Sequence, residues 1–565
     1  MIAFADIPYA RPDLEDFKRR FRDALERLTD GESAAAQDVA IAEINSLRIS
    51  FDSLLTLVSI RHTVDTRDTF YKAEQDFMDE AGPVVEGLES EFFSAIVASP
   101  FRTALEASWG VQLFRLAELK MRCFSPEVLE DLQAENRLMS EYDALKAGAE
   151  IEVAGAKRNL AQVAAFAESK DRDVRKAATQ AVSGFYAANA GVFERIYDEL
   201  VRLRHGIASK LGFANFTELA YARLGRSDYG ATEVAAYRDQ VLAEVVPVAA
   251  GLRKRQAERL GLENLEFCDE GLEFQSGNAT PKGDAAWLLE QGKGLYRELS
   301  PETAEFFSMM TERGLLDLET RPGKASGGYC DYLGSWEAPF IFSNWNGTSG
   351  DVDVLTHEVG HAFQAWRSRG FRAPDYFFPT YEACEIHSMS MEFLAWPWMD
   401  RIFGEDEAKY KLSHLSAGIL FVPYGVAVDE FQHRVYERPE ASPSERRAMW
   451  REIERKYLPW RDYGDDGFLA SGAFWFRQGH IFQDPFYYID YTLAQVCAWD
   501  FWRRSLADRE AAFRAYLALC DLGGSRSFTE LCRASGLRVP FEKGALRDIM
   551  QPLRDWLAAA EDRGF

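Results

Sequence analysis

The chain has 565 residues, and 47% of them are hydrophobic, which is enough for more than one large core. Lys and Arg number 65 against 90 Asp and Glu, so the formal net charge is −25 at pH 7. This charge argues against nucleic acid and against anionic membrane surfaces as partners, because both are negatively charged themselves. Composition therefore indicates a large globular protein that binds neither.

Cysteine usage and the N-terminus bear on the compartment. The seven cysteines are scattered and without a Cys-x-x-Cys pair, which favours reduced thiols over a disulfide framework. No basic region precedes an apolar segment at the N-terminus, so we expect no secretory signal. The longest uncharged run, residues 412–428, contains Pro423 and falls short of the roughly 18 apolar residues of a membrane-spanning helix. We expect a cytoplasmic protein in which this run forms a buried helix.

Helical periodicity dominates the first 260 residues. Apolar residues at steps of three and four predict helices at 12–29, 41–64, 68–97, 126–147, 172–205 and 231–260. The last of these should be kinked at Pro247 and should end before Gly261. Residues 149–156 alternate in polarity and predict a short strand. We predict a helical N-terminal lobe at 1–200 that continues, without a clear linker, into a catalytic lobe at 201–565.

Glycine and aromatic residues interleave between residues 317 and 350, which predicts short strands and turns. Residues 323–329 and 338–344 are predicted to pair as a small sheet. Its free edge could hold an extended peptide by main-chain hydrogen bonds, and Phe340 and Phe342 are candidate substrate contacts. A purely structural hairpin explains the same pattern equally well.

One motif directly after this sheet carries metal chemistry, His357-Glu358-Val-Gly-His361. On a helix, histidines four residues apart project from one face, so both imidazoles can bind one zinc ion while Glu358 acts on the attacking water. Chance matches in a chain of this composition are expected on the order of 0.01 times. The alternative is an amphipathic helix with two buried, hydrogen-bonded histidines. The motif predicts a zinc hydrolase.

A catalytic zinc ion usually has three protein ligands and an open position. The next predicted helix offers Glu382, Glu385 and Glu392, which lie at steps of three and seven and hence on one face. Spacing alone does not choose among them.

A second segment, residues 474–491, concentrates aromatic side chains around His480. Tyr488 and Tyr491 lie three residues apart, so both can face one site, where phenol hydroxyls can donate to a developing oxyanion. An aromatic core stripe is the alternative, and the segment taken alone favours it.

Together, His357-Glu-Val-Gly-His361 and, 24 residues later, Glu385-Ile-His-Ser-Met-Ser-Met-Glu392 resemble the thimet oligopeptidase and oligoendopeptidase F family of zinc metallopeptidases. The whole chain is most similar to the bacterial Pz-peptidase-like oligoendopeptidases. The resemblance implies a mainly α-helical ellipsoid of two lobes around a deep channel, with a small β-sheet next to the zinc helix. It also implies one Zn²⁺ per chain and oligopeptide substrates.

The resemblance further implies roles for single residues. Glu385 would be the third zinc ligand and Glu392 a carboxylate that supports the ligands. His480, Tyr488 and Tyr491 would contact substrate and stabilise the tetrahedral intermediate, with Tyr487 as a neighbouring substrate contact.

Two departures leave the site open at this stage. His387 stands where the thimet branch has proline and is itself a possible ligand. Cys384, as a fourth ligand, would close the site and make the zinc structural. His414 and His433 are predicted to be core or surface histidines.

Rival functions are a zinc hydrolase of non-peptide amides and a non-catalytic peptide-binding protein with structural zinc. Nothing in the sequence indicates the oligomeric state.

Overall fold

Helices form most of the chain in the computed structural model, which describes residues 2–325 and 327–561. The first twelve α-helices are α1 (Leu14–Thr29), α2 (Ala34–Val64), α3 (Thr69–Val97), α4 (Arg102–Trp109), α5 (Val111–Arg122), α6 (Leu129–Ala147), α7 (Leu160–Ala164), α8 (Arg172–Ala188), α9 (Ala190–Lys210), α10 (Phe216–Arg223), α11 (Ala231–Glu244) and α12 (Val246–Leu260). The others are α13 (Ala285–Leu299), α14 (Pro301–Glu312), α15 (Gly350–Arg367), α16 (Tyr381–Leu394), α17 (Met399–Phe403), α18 (Glu407–Glu437), α19 (Pro443–Tyr457), α20 (Gly479–Phe482), α21 (Tyr488–Ala507), α22 (Arg509–Leu522), α23 (Phe528–Ala534) and α24 (Ala545–Glu561). The prediction of a mainly α fold is confirmed.

Helix boundaries follow local chemistry closely. The predicted helix 231–260 is divided at Val245, because Pro247 has no N–H to continue the ladder and instead occupies the first turn of α12. That helix ends at Gly261, whose φ of 67° is left-handed. The predicted helix 172–205 is likewise divided, at Asn189, into α8 and α9.

Two small sheets complete the fold. Strands β1 (Ile151–Val153) and β2 (Ala156–Arg158) pair as an antiparallel hairpin, which confirms the strand predicted near residue 150. Strands β3 (Leu316–Glu319), β4 (Tyr329–Leu333) and β5 (Ala338–Trp345) form a sheet in the order β3-β5-β4. β5 is central, parallel to β3 and antiparallel to β4, and only four residues, 334–337, separate the end of β4 from its start.

The sheet corrects one prediction and confirms another. The strand predicted at 323–329 begins only at Tyr329, because Gly323 and Gly327 have φ values of 89° and 95°, which no strand accommodates. One residue of that prediction, Ser326, lies outside the described residues. β4 and β5 pack against α15, so a small sheet does lie next to the motif helix.

Two large groups of buried apolar side chains hold the molecule together. One lies within α1 to α5 and extends to Ala373 and Tyr376, while the larger one joins α9, the three-stranded sheet and the helices from α13 to α24. Helix α9 runs unbroken across residue 200, and its Phe193, Tyr197 and Leu200 all belong to the larger group. A division into lobes at residue 200 therefore remains a prediction.

The uncharged run at 412–428 lies within α18. By length and composition, one stretch of the helical segment Tyr381–Glu437 could cross a membrane, but 61% of its most apolar window is buried inside the protein. Leu412, Leu415 and Ile419 are fully buried, so this is a core helix, as predicted.

Candidate metal centre

The motif residues project from the middle of α15. The helix starts directly after a turn in which the Asp351 carboxylate accepts hydrogen bonds from the backbone N–H groups of Asn346 and Gly347. Acidic side chains in this first turn also suit the positive end of the helix dipole. The His357 and His361 rings, one turn apart, have centroids separated by 5.0 Å.

Glu385 of α16 completes a three-residue cluster. Its Oε2 lies 3.2 Å from His357 Nε2 and 3.4 Å from His361 Nε2. One ligand atom from each of the three residues falls within 4.8 Å of the others, and among the described residues this is the group that could hold a metal ion. Two imidazoles and one carboxylate are the donor set of many catalytic zinc sites, so the residues fit that ion.

Helices α15 and α16 approach closely enough for this convergence because of one glycine. A Cβ built on Gly360 would lie 2.6 Å from the His387 carbonyl oxygen and 2.6 Å from the Ser388 Cα. Real Cβ atoms do not come so near, so only glycine permits this helix spacing. The spacing in turn brings Glu385 opposite the two histidines.

Behind His357, a hydrogen-bonded chain of side chains fixes its orientation. His357 Nδ1 lies 2.7 Å from Glu392 Oε1, and the other oxygen, Oε2, lies 2.8 Å from His414 Nε2. The indole N–H of Trp396 donates to His414 Nδ1 over 3.3 Å. Since an indole can only donate, His414 Nδ1 accepts and its Nε2–H must donate to Glu392. Glu392 thus also accepts the Nδ1–H of His357, which leaves the Nε2 lone pair of His357 facing the cluster.

Glu385 is oriented from both sides. The Ser388 hydroxyl donates to its Oε2 over 2.9 Å, and the Tyr487 hydroxyl donates to its Oε1 over 3.1 Å. Tyr487, predicted as a substrate contact, therefore also touches a candidate ligand.

Burial and neighbouring charge set the protonation of these groups. Burial raises the pKa of Glu385, but His361 and His357 outweigh it and hold that pKa well below its usual value. Burial raises the pKa of Glu358, and the two histidines only partly oppose this. Glu385 is thus a persistent carboxylate, as a metal ligand must be, whereas Glu358 holds a proton more readily, as suits a general base.

The cluster opens onto a cavity of about 620 Å³. Glu358 lies in its wall beside both histidines, and so do Tyr491 of α21 and Tyr487, the residue just before that helix. Gly328, Tyr329 and Cys330 bring the outer edge of β4 to the same cavity, whose lining also includes Lys120 and Arg223. A free strand edge therefore lies beside the candidate metal position.

His480 and Tyr488 lie next to Tyr491. Their ring centroids are 5.8 Å and 5.7 Å from the centroid of the Tyr491 ring. Neither His480 nor Tyr488 is among the residues that line the cavity. The Tyr424 hydroxyl donates to Gln478 Oε1 over 2.7 Å, so the Gln478 amide N–H donates to His480 Nδ1 over 2.8 Å.

The remaining nitrogen of His480, Nε2, then carries a hydrogen and can donate it. Burial, with a contribution from Lys146, lowers the pKa of His480 to about 4, so this donor is neutral at pH 7.

Some predicted residues lie away from the cavity. Phe340 and Phe342 are 1% and 0% exposed, because β5 is the central strand and both its faces are covered. Phe340 packs on Phe4 and Phe342 stacks on Tyr329, so neither is placed to contact substrate, and β4 supplies the cavity edge instead.

Neither possible extra ligand joins the metal cluster. His387 is fully buried with its Nδ1 2.8 Å from the Ala383 carbonyl oxygen, and the Cys384 thiol donates to the Pro379 carbonyl oxygen. Cys384 borders the cavity but provides no atom to the three-residue group.

Sequence reasoning missed two side chains, His414 and Trp396. His414 was predicted to be an ordinary core or surface histidine, yet it holds Glu392. It follows Glu392 by 22 residues and belongs to another helix, and no spacing rule connects the two positions.

The helical fold and the His-His-Glu cluster are those of a metal-dependent hydrolase, and two family models match the chain. Residues 4–124 match the peptidase M3 N-terminal domain, and residues 302–551 match peptidase family M3. The second match contains all three residues of the cluster. The chain belongs to peptidase family M3 and is a metallopeptidase.

Solved structures agree with this over the full length. A putative oligoendopeptidase F is 53% identical with a TM-score of 0.94, and the match covers 100% of both chains. PZ peptidase A, solved with an inhibitor, is 53% identical with a TM-score of 0.93 over 98% of this chain and 99% of that one. A putative oligoendopeptidase F from Bacillus anthracis str. Ames is 51% identical with a TM-score of 0.90 over 100% of both chains. The comparison with curated proteins gives no match.

Proposed function

We propose that the protein is a zinc-dependent oligoendopeptidase that hydrolyses internal bonds of short peptides. The observation that carries the proposal is the convergence of His357, His361 and Glu385 in the wall of a cavity that also presents Glu358. His357, His361 and Glu385 would hold one Zn²⁺, and Glu392 would support His357 from behind.

Zinc, when bound, supplies a Lewis acid that polarises the scissile carbonyl group and acidifies water. Glu358 takes the proton of the attacking water and passes it to the leaving amine. Its burial favours this exchange, because a raised pKa makes Glu358 a stronger base than an exposed carboxylate. The different surroundings of the two carboxylates thus suit Glu385 to bind the metal and Glu358 to act as the general base.

Tyr491, Tyr488 and His480 are the proposed oxyanion group. Tyr491 faces the cavity directly, and burial raises the pKa of its hydroxyl, which keeps it protonated as a donor. His480 contributes a neutral Nε2–H next to it, and Tyr488 packs against both rings. Donors fixed before the reaction stabilise developing charge without reorganising.

The proposed substrates are oligopeptides, as the name oligoendopeptidase F indicates for two of the similar solved structures. Residues Gly328 to Cys330 present a strand edge along which an extended peptide can add main-chain hydrogen bonds, a mode that tolerates many sequences. Tyr487 would contact the same peptide. The net charge of −25 supports the absence of nucleic acid and membrane partners.

We also propose a cytoplasmic location. None of the seven cysteines is in a disulfide, although Cys497 and Cys532 have sulfur atoms only 3.9 Å apart. Cysteines that are scattered along the chain without a Cys-x-x-Cys pair suit a reducing compartment.

The test is a quenched-fluorescent peptide assay with chelation and zinc add-back. We expect internal cleavage that stops on chelation and returns with zinc. Glu358→Gln should bind zinc normally but show no turnover, whereas His361→Ala should lose both. Near-normal turnover in Glu358→Gln would remove the general-base assignment, and rapid degradation of casein would contradict the restriction to short peptides.

A further inference from the structure

A strained turn precedes the helix that carries the cavity tyrosines. Phe486, immediately before Tyr487, has a φ of +70°, a left-handed conformation that is unfavourable for a residue with a side chain. Such a conformation persists only where the surroundings hold it. The direction in which Tyr487 and Tyr491 leave this turn therefore depends on what holds Phe486.

Both sides of the Phe486 residue are held by buried side chains from distant parts of the chain. Its N–H donates to Gln432 Oε1 over 2.9 Å, and its carbonyl oxygen accepts from Arg226 Nη2 over 2.7 Å. The phenyl ring is fully buried and packs against His433 and Tyr436 of α18. The strained turn is thus fixed by two specific hydrogen bonds and by packing.

The same Arg226 nitrogen reaches α21 itself. Arg226 Nη2 lies 2.5 Å from Asp490 Oδ1, and both side chains are completely buried. Asp490 stands in the first turn of α21, next to Tyr491. One nitrogen, Nη2, therefore binds the turn and the helix at once, at the end of a side chain that reaches one bond farther than lysine.

Arg226 also faces the helix that carries Glu385. Glu382, one turn before Glu385 on α16, is buried and lies within electrostatic range of the guanidinium group. Arg226 thus interacts with acidic side chains of both α16 and α21, and Glu385 of α16 accepts a hydrogen bond from Tyr487, the residue just before α21.

The backbone of Arg226 is itself fixed. Helix α10 ends at Arg223 and is followed by Gly225 at a φ of +70°, and the Arg226 N–H donates back to the Tyr221 carbonyl oxygen over 3.1 Å. This is a Schellman termination, which sets the exit angle of the chain. The Tyr221 ring then lies 4.2 Å under the guanidinium carbon, so the side chain is confined as well.

We propose that Arg226 is a positioning residue that places the tyrosines of α21 relative to the metal centre by holding Phe486 and Asp490. The proposal rests on the proposed function, since it assigns Arg226 an effect on turnover through Tyr491. It does not require Arg226 to touch substrate. The alternative is a buried ion pair that serves folding alone.

The decisive variant is Arg226→Lys, which keeps the charge but ends one bond short of the position from which Nη2 binds both acceptors. Arg175 offers a matched control, because it also pairs with a buried carboxylate, Asp269, and donates to a backbone carbonyl, far from the cavity lining. Arg175→Lys should lower thermal stability without changing kcat. Arg226→Lys should lower kcat about ten- to a hundredfold, as expected for misplaced catalytic groups, with zinc affinity retained.

A double-mutant cycle tests whether Arg226 affects turnover through Tyr491. If Arg226 acts through Tyr491, adding Arg226→Lys to Tyr491→Phe should cause no further loss of kcat. Losses that multiply in full, or an unchanged kcat in Arg226→Lys, would overturn the proposal.

Hydrogen exchange supplies a readout that does not depend on activity. Amides of residues 486–491 should exchange faster in Arg226→Lys than in the wild type, and Arg175→Lys should leave them unchanged. Gln432→Met, which releases the other side of Phe486 without removing a charge, should show the same acceleration if Arg226→Lys fails to fold. Unchanged exchange in the folded variants would refute the proposal, whereas a wild type without peptidase activity would refute only the proposed function.

Discussion

Replacing His414 by leucine should weaken zinc binding, although His414 touches no candidate ligand. In the wild type, Glu392 accepts one hydrogen bond from His357 and one from His414, and these outweigh its burial and lower its pKa. His414→Leu removes one donor from a buried carboxylate. The pKa of Glu392 should then rise, and a protonated Glu392 is a weaker acceptor for the Nδ1–H of His357.

Losing an outer partner of a metal-bound histidine typically costs about 10- to 100-fold in affinity, which is about 1.4 to 2.7 kcal/mol. Because Glu392 takes up its proton as the pH falls, the loss should be larger at pH 6 than at pH 8. Competition with a chromophoric chelator measures zinc affinity at both values. His414→Gln, which keeps one N–H donor, should retain more of the affinity.

His62→Leu is the control, since His62 is a partly buried histidine of α2 that belongs neither to the cavity lining nor to the cluster. It should bind zinc as the wild type does even if it lowers the melting temperature. Equal zinc affinity in His414→Leu and wild type at both pH values would refute the role given to the Trp396–His414–Glu392 chain.

Four further outcomes are expected. Tyr491→Phe should lower kcat about 10²- to 10³-fold with little change in KM, and an unchanged kcat would return Tyr491 to the aromatic core. Tyr487→Phe, which removes the 3.1 Å hydrogen bond to Glu385, should weaken zinc binding about tenfold in chelator competition, and wild-type affinity would contradict that contact. Gly360→Ala should lower the melting temperature and the zinc affinity, because the added methyl group meets the α16 backbone at 2.6 Å. Gly206→Ala is the control. Its added methyl group has no neighbouring atom within 4 Å, so it should stabilise the protein by about 0.5 to 1 kcal/mol. The acid limb of kcat/KM should follow the raised pKa of Glu358, with the rate falling as that base takes up a proton, and should survive in His480→Gln, because His480 is already neutral above pH 5.

The sequence by itself determined most of the helices and the chemistry that they carry. Periodic apolar residues predict α1, α3 and α6 closely, and α2 except for its first two turns, because one buried face is a local property of the chain. Spacing alone places His357 and His361 on one face with Glu358 between them. The same reasoning failed for the strand at 323–329, where the glycines prefer a turn, and for Phe340 and Phe342, because alternation does not tell a central strand from an edge.

Tertiary structure decided which carboxylate faces the histidines. Glu382, Glu385 and Glu392 share one broad helix face, and only the packing of α16 on α15 across Gly360 turns Glu385 to the cluster, Glu392 behind His357 and Glu382 toward Arg226. His414 and Arg226 were invisible to spacing for the same reason. Each acts on the site across more than 20 residues of intervening chain, and such contacts are set by how helices pack rather than by any local pattern.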